Sequence, residues 1–390
     1  MSAKEMLIRD VNGGMSVTAA AEQHQIHRSC AYKWVARYRS EGIAGVEELS
    51  RAPEFSPNRT PQKYVDELLA LKKNHPDFGP AKLAAMLERV HEKRVMAVST
   101  AGELLARHAL VRKRPRRDRT AGRIEHPPFE VGGAGDSMTA DYKGQFLMKN
   151  GVLCYPLTIA DPFSRYVFAI DALPSTDIQG ARIGFERVFR KHGIPRQMIS
   201  DNGSPFCCSK ALGGLTRLSR WWIELGIIPI RIQPGHPQQN GIHERMHRTL
   251  KAWIGRDVQS SLGKQQRSFD AFRKEFNEVR PHQSLGQKPP ATAVQPYRPF
   301  ASRPREIEYD SNMTVRSVRS NGQIKWNGQM LFMSEVLSGA KVGMLEVDEA
   351  LWAISFGPVR IGYLDTLTNR VRNRIPERLA PKPSLDGTET

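Results

Sequence analysis

Cysteine is scarce in this chain of 390 residues: there are four, Cys30, Cys154, Cys207 and Cys208, two of them adjacent and none in a CxxC pair. That excludes a disulfide framework and a four-cysteine zinc site, and predicts a reducing cytoplasm. No run of 18 apolar residues occurs, and the opening MSAKEMLIRDVNGG has acids and glycines where a secretory apolar segment would lie. The expectation is a protein neither membrane-spanning nor exported. Acidic residues are the minority, 40 Asp and Glu against 58 Lys and Arg, which leaves a net charge of +18 and a pI near 9.9. A surplus of that size points to a polyanionic partner, most simply nucleic acid. At roughly 100 to 200 residues per domain, the length predicts two to four domains.

The first of these, residues 1–50, reads as helical. Ser2 and Glu5 form a capping box before MLIRDV, Gly13 and Gly14 stop that helix, and Ser16 caps VTAAAEQH. In RSCAYKWVARYRSEG the residues Ala31, Trp34, Val35 and Tyr38 share one helical face, while Arg28, Ser29, Tyr32 and Lys33 occupy the early outward turns. This is the layout of a helix-turn-helix whose second helix enters the major groove, which makes those four candidate DNA contacts. An ordinary three-helix bundle with a solvated basic face has the same spacing. After the Pro-rich linker RAPEFSPNRTP, residues 60–123 hold a second helical unit, with Pro80 in a first turn and Ser99 as a cap. It ends in RHALVRKRPRRDRTAGR, where Arg112, Lys113, Arg114, Arg116 and Arg117 are candidate phosphate contacts.

From about residue 130 strands alternate with helices. SMTADYKG, CYPLTIA, RYVFAIDAL, QMIS and IIPIRI read as strands, with TDIQGARIGFERVFRKHG and LTRLSRWWIELG as helices among them. The order predicts a mixed α/β layer over 130–298. No Gly-rich phosphate loop opens any of these helices, so a doubly wound dinucleotide fold is not expected. Beyond QKPPATAVQPYRPFASRP, short strands with an Asn327-Gly328 hairpin turn predict a small all-β barrel over 310–370.

Three carboxylates end elements of the α/β region: Asp141 in TADYKG, Asp201 in ISDNGS, and Glu244 in PGHPQQNGIHERMHRTLK, where Arg248 and Lys251 follow on the same helical face. Carboxylates converging from separate elements repel one another unless a cation joins them, and hard oxygen ligands suit Mg2+ or Mn2+. Two such ions serve phosphodiester chemistry. An acid before Asn-Gly is also a common turn. His243, Glu244 and His247 spell HExxH, the zinc-peptidase pattern, and a DNA-binding regulator with an inactive core is a further alternative.

Taken together, ADYKG, SRYV, SDNGS, HPQQNGIHERMHRTLK and RPHQSLGQKPP resemble the insertion-sequence transposases that share the retroviral-integrase catalytic core, the DDE recombinases, over nearly the whole chain. The resemblance implies a ribonuclease-H-like core behind helix-turn-helix modules. It implies Asp141, Asp201 and Glu244 as catalytic metal ligands for about two Mg2+ or Mn2+ ions. Asn240, Arg248 and Lys251 would then position DNA. The implied partners are double-stranded DNA, as terminal inverted repeats and target, and further copies of the chain in a dimer or tetramer. The implied location is the bacterial cytoplasm, at the nucleoid. Two departures stand: 42 residues separate Asp201 from Glu244, more than is usual in the family, and His24, His27 and Cys30 lack the second cysteine of a zinc finger.

Overall fold

The computed structural model describes residues 2–48, 59–111, 133–232, 241–302 and 306–376, side chains of 241 and 242 excepted. The chain divides into two compact units, Met1–Gln62 and Lys63–Thr390.

In the first unit the expected capping box forms. The Ser2 hydroxyl accepts from the Glu5 amide, and the Glu5 carboxylate accepts from the Ser2 amide at 2.7 Å, opening α1 (Ala3–Asn12). Ser16 caps α2 (Val17–Gln23) in the same way. Gln25 takes a left-handed φ of 54° in the turn to α3 (Arg28–Glu41). Leu7, Ile8, Ala20, Ala21, Ala31 and Val35 close one small core, with Trp34 and Tyr38 against it. The apolar face of α3 is thus the one its spacing predicts.

The second unit opens with three helices, α4 (Gln62–Asn74), α5 (Pro80–His91) and α6 (Val98–Arg107). Pro80 occupies the first turn of α5, where its missing N–H costs nothing. Ser99 is not the cap expected of it. Helix α6 starts two residues earlier, at Val98 behind Ala97, which makes no side-chain cap, while the neighbouring Met96 is buried against the helices.

The α/β region is a single mixed sheet. Its strands are β1 (Ser137–Tyr142), β2 (Phe146–Leu147), β3 (Leu153–Ala160), β4 (Val167–Leu173), β5 (Gln197–Ser200) and β6 (Ile228–Arg231). Across the sheet the order is β4-β3-β1-β5-β6, with the two-residue β2, which the sequence does not predict, beside the start of β3. β1 pairs antiparallel with β3 and parallel with β5. On one face, α7 (Ile178–His192) and α8 (Arg217–Glu224) bury Phe185, Phe189, Trp221 and Trp222 against Met138 and Ala140 of β1. On the other, α9 (Gly241–Ile254) and α10 (Leu262–Lys274) bury Met246, Leu250, Phe269 and Phe272 against β3 and β4. The edge strand β4 is covered by side-chain amides. Asn277 exchanges two hydrogen bonds with the Val167 backbone at 2.9 and 2.8 Å, and Gln266 does the same at Ala172 and Ile170.

The C-terminal region is all-β, but the expected barrel is corrected by open sheets. One sheet runs β13 (Arg370–Arg372), β12 (Val359–Asp365), β11 (Leu351–Phe356), β10 (Lys341–Asp348), β7 (Thr314–Ser317), and a separate hairpin pairs β8 (Gln323–Trp326) with β9 (Gln329–Phe332). Closure needs the outer strands to pair, and here the hairpin stands between them, β8 near β7 and β9 near β13. Asn327 and Gly328 both take positive φ in its turn, as their dipeptide predicts.

Candidate active site

The parallel pairing of β1 with β5 aligns Ala140 with Ser200. One residue further along come Asp141, still within β1, and Asp201, just past the end of β5, so each aspartate directly follows a paired residue at the carboxyl end of adjacent parallel strands. Alternation along β1 puts Met138 and Ala140 toward α7 and α8, and Thr139 and Asp141 toward α9. The turn after Asp201 is the one expected: the Gly203 amide donates to Asp201 Oδ1 at 3.1 Å and Asn202 Nδ2 to the Ile232 carbonyl at 2.7 Å. Burial pushes the Asp201 carboxyl above its usual range, against the opposing pull of the Gly203 amide. The turn and a metal-ligand role are therefore compatible: the same Asx turn presents a half-buried carboxylate beside Asp141.

Helix α9 is laid across this edge by two histidines. His243 is 1% exposed, and its Nε2 meets Thr139 Oγ1 of β1 at 2.5 Å. One turn on, His247 Nε2 meets Thr158 Oγ1 of β3 at 2.8 Å. Both hydroxyls spend their single proton on backbone carbonyls, Thr139 on Ala160 at 3.1 Å and Thr158 on Asp141 at 2.8 Å. They can therefore only accept from the rings, so each Nε2 carries the hydrogen. Burial lowers the pKa of His243 to about 4, with a hydrogen bond to the Thr139 backbone opposing it. For His247 burial acts first, then His243 and Lys143, and the value falls to about 3. Each ring is thus neutral, with a lone pair on Nδ1.

Glu244 is exposed in the first turn of α9. At 100° per residue it is rotated about 60° from His247, on the flank that carries Arg248 and Lys251, both exposed. That flank turns toward the end of β1, because Lys251 is close enough to Lys143, two residues past Asp141, to depress its pKa beyond the effect of burial. The register thus brings Asp141 and Asp201 together, and α9 carries Glu244 to the same edge of the sheet. Lys143, Thr139 and Thr158 were not singled out in the sequence. Alternation along ADYKG was the available signal for Lys143, whereas the threonines gain meaning only once α9 is docked. The peptidase pattern fares poorly, since both Nε2 atoms are committed to threonines and Glu244 faces outward.

Of the candidate DNA contacts, Arg28, Ser29, Tyr32 and Lys33 are all exposed on the early turns of α3, and the Arg28 guanidinium lies 5.8 Å from the Tyr32 ring centre. Arg112, Lys113, Arg114, Arg116, Arg117 and Asn240 lie outside the described residues. Among the described residues no helix is long and apolar enough to cross a membrane.

A helical head with an exposed basic face and a mixed sheet with two aspartates at the ends of neighbouring strands are matched by known families. A helix-turn-helix domain matches residues 4–54, a homeodomain-like domain 30–105 and an integrase core domain 225–290. The insertion element IS476 uncharacterized 39.2 kDa protein of Xanthomonas euvesicatoria is 24% identical over 73% of this chain and 80% of its own length. For the insertion element IS407 uncharacterized 31.7 kDa protein of Burkholderia multivorans the identity is 25% over 68% and 93%. The HTLV-2 integrase catalytic core domain, solved in complex with magnesium, shows 12% identity and a TM-score of 0.33, covering 42% of this chain and 97% of that one. Together these matches support an insertion-sequence transposase with an integrase-like core.

Proposed function

We propose that this chain cuts DNA at the ends of an insertion element and joins the freed 3′-hydroxyl to target DNA, with Asp141, Asp201 and Glu244 as its metal-binding catalytic carboxylates. The observation that carries the reading is the β1–β5 register, which sets Asp141 and Asp201 level on neighbouring strands with α9 across the same edge. The donor set fits hard divalent ions. Adjacent carboxylates, one with its pKa raised by burial, are stabilised when a cation lies between them. Mg2+ or Mn2+ bound there supplies charge neutralisation for the attacking and leaving oxygens of an in-line displacement.

The chain's own groups do the rest. Asp141 and Asp201 hold the oxygen-ligand edge, and Glu244 completes it from the helix. Lys143 and Lys251 form a local positive pair that a DNA phosphate relieves, and Arg248 extends that surface along α9. Water attacks the phosphodiester at the element's end and releases a 3′-hydroxyl. That hydroxyl then attacks a target phosphodiester in line, with no covalent enzyme intermediate. Residues Arg28, Ser29, Tyr32 and Lys33 read the element's end in the major groove, while the basic stretch Arg112, Lys113, Arg114, Arg116 and Arg117 holds phosphates, and Asn240 contacts DNA beside Glu244. Two copies or more assemble on paired ends. The proposed domains are 1–50, 60–123, 130–298 and 310–370. A peptidase or an inactive regulator finds no comparable support.

The test is strand cleavage and joining on an oligonucleotide carrying the element's end. Asp141→Asn, Asp201→Asn and Glu244→Gln should each abolish both steps in Mg2+ while leaving DNA binding nearly intact. An Asp201→Asn protein that cleaves at the normal rate sinks the assignment.

A further inference from the structure

The two histidines of α9 are not needed by the carboxylate chemistry, yet they are built with more care than a packing role requires. His243 and His247 donate Nε2–H to the hydroxyls of Thr139 and Thr158, and each hydroxyl is itself anchored on a backbone carbonyl. An anchored partner on one ring nitrogen that fixes the tautomer and aims the other is the arrangement found behind metal-ligating histidines. The other nitrogens lie against Thr158 and Asp141. His247 Nδ1 is 3.8 Å from Asp141 Oδ2, beyond hydrogen-bond reach. His243 Nδ1 is 3.3 Å from Thr158 Oγ1, whose only proton is directed at the Asp141 carbonyl. One nitrogen from each ring and one carboxylate oxygen of Asp141 lie within 4.8 Å of one another. Ligand atoms around a tetrahedral ion with bonds of about 2.1 Å are about 3.4 Å apart, so a small side-chain adjustment closes the set. His247 and Asp141 each keep 14% of their side chains exposed, which leaves an entrance.

We propose that Asp141, His243 and His247 form a second metal site, selective for an imidazole-seeking divalent transition ion of the Zn2+ class. Two neutral imidazoles and one carboxylate are a donor set that Zn2+ and Co2+ accept and Mg2+ does not. The ion differs from the peptidase pattern in its ligands: it takes the Nδ1 side of each ring and an aspartate from β1, and leaves Glu244 out. Because the site borrows Asp141, its occupant withdraws that carboxylate from the oxygen-ligand edge, so Zn2+ inhibits Mg2+-supported strand cleavage. This last consequence rests on the transposase reading; the binding itself does not.

The experiment uses the full chain, stripped with EDTA and dialysed. Zn2+ is titrated by equilibrium dialysis, and Co2+ by the visible absorption of a nitrogen-ligated ion. Wild type should bind at this site with an affinity that falls about 100-fold or more in His243→Gln and in His247→Gln. In Thr158→Val, which removes only the hydroxyl anchor, it should fall about 10- to 100-fold. Asp201→Asn should keep its Zn2+ affinity within a few-fold. Should His243→Gln fail to fold by circular dichroism, the less buried His247→Gln and Thr158→Val decide. Zn2+ affinity unchanged in the His247→Gln protein, or abolished in Asp201→Asn, overturns the site. A chain that binds Zn2+ as described but never cleaves DNA overturns the transposase reading alone.

Discussion

Burial of His243 has a thermodynamic cost that appears as acid destabilisation. The ring is free to take a proton near pH 6.5 when unfolded but only at about 4 when folded. The folded pKa is the lower one, so between those values the unfolded state binds the extra proton and stability rises with pH. The contribution is intact above pH 6.5 and is lost as pH falls toward 4. At about 1.4 kcal/mol per pH unit, the loss reaches about 2 kcal/mol at pH 5 and on the order of 3 kcal/mol at pH 4. The perturbation that isolates it is His243→Gln, which has nothing to protonate. Urea unfolding in EDTA, followed by circular dichroism, should show the stability difference between wild type and His243→Gln shrinking by about 2 kcal/mol from pH 7.5 to pH 5. A difference that stays constant across that range would mean that His243 is not held neutral, and the tautomer argument would fall with it.

Other outcomes follow from the same geometry. Asn277→Leu strips both side-chain hydrogen bonds from the Val167 backbone and should cost about 2 kcal/mol, because two buried backbone groups lose their partners; unchanged thermal stability would refute it. Lys143→Gln should raise the KM for DNA more than it lowers kcat, since it removes half of the lysine pair that a phosphate relieves; a pure kcat loss would place Lys143 in the chemistry instead. Substituting Tyr32 and Lys33 in the full chain should reduce the preference for the element's end over random DNA. Replacing Arg114, Arg116 and Arg117 should weaken binding to every sequence and lower the log-log salt slope by about 0.9 for each phosphate no longer neutralised. Filter binding at several salt concentrations separates the two patterns.

Local signals in the sequence determined the helical head. The Ser2–Glu5 box, the Ser16 cap and the Ala31, Trp34, Val35, Tyr38 spacing each act within a few residues, so their geometry follows from the chain alone. The same holds for the strands of the core, the helix that carries Glu244, the Asn327-Gly328 turn and the DNGS turn. The two-residue β2 and the start of α6 escaped, because pairing with β3 and burial of Met96 are set by distant partners. Closure of the C-terminal sheet likewise depends on which edges meet, a property of the assembled strands and not of any one segment. The candidate site divides along the same line. Asp141, Asp201 and Glu244 stand out by motif, but their alignment is a matter of register between strands some 60 residues apart in the chain, and one residue of slip would turn Asp141 to the other face. His243 and His247 could be read in the sequence only as HExxH. That their Nε2 atoms are taken by Thr139 and Thr158, and that His247 Nδ1 comes to 3.8 Å from Asp141, was decided by the docking of α9 on the sheet, because hydrogen-bond partners more than 80 residues distant leave no mark on local sequence.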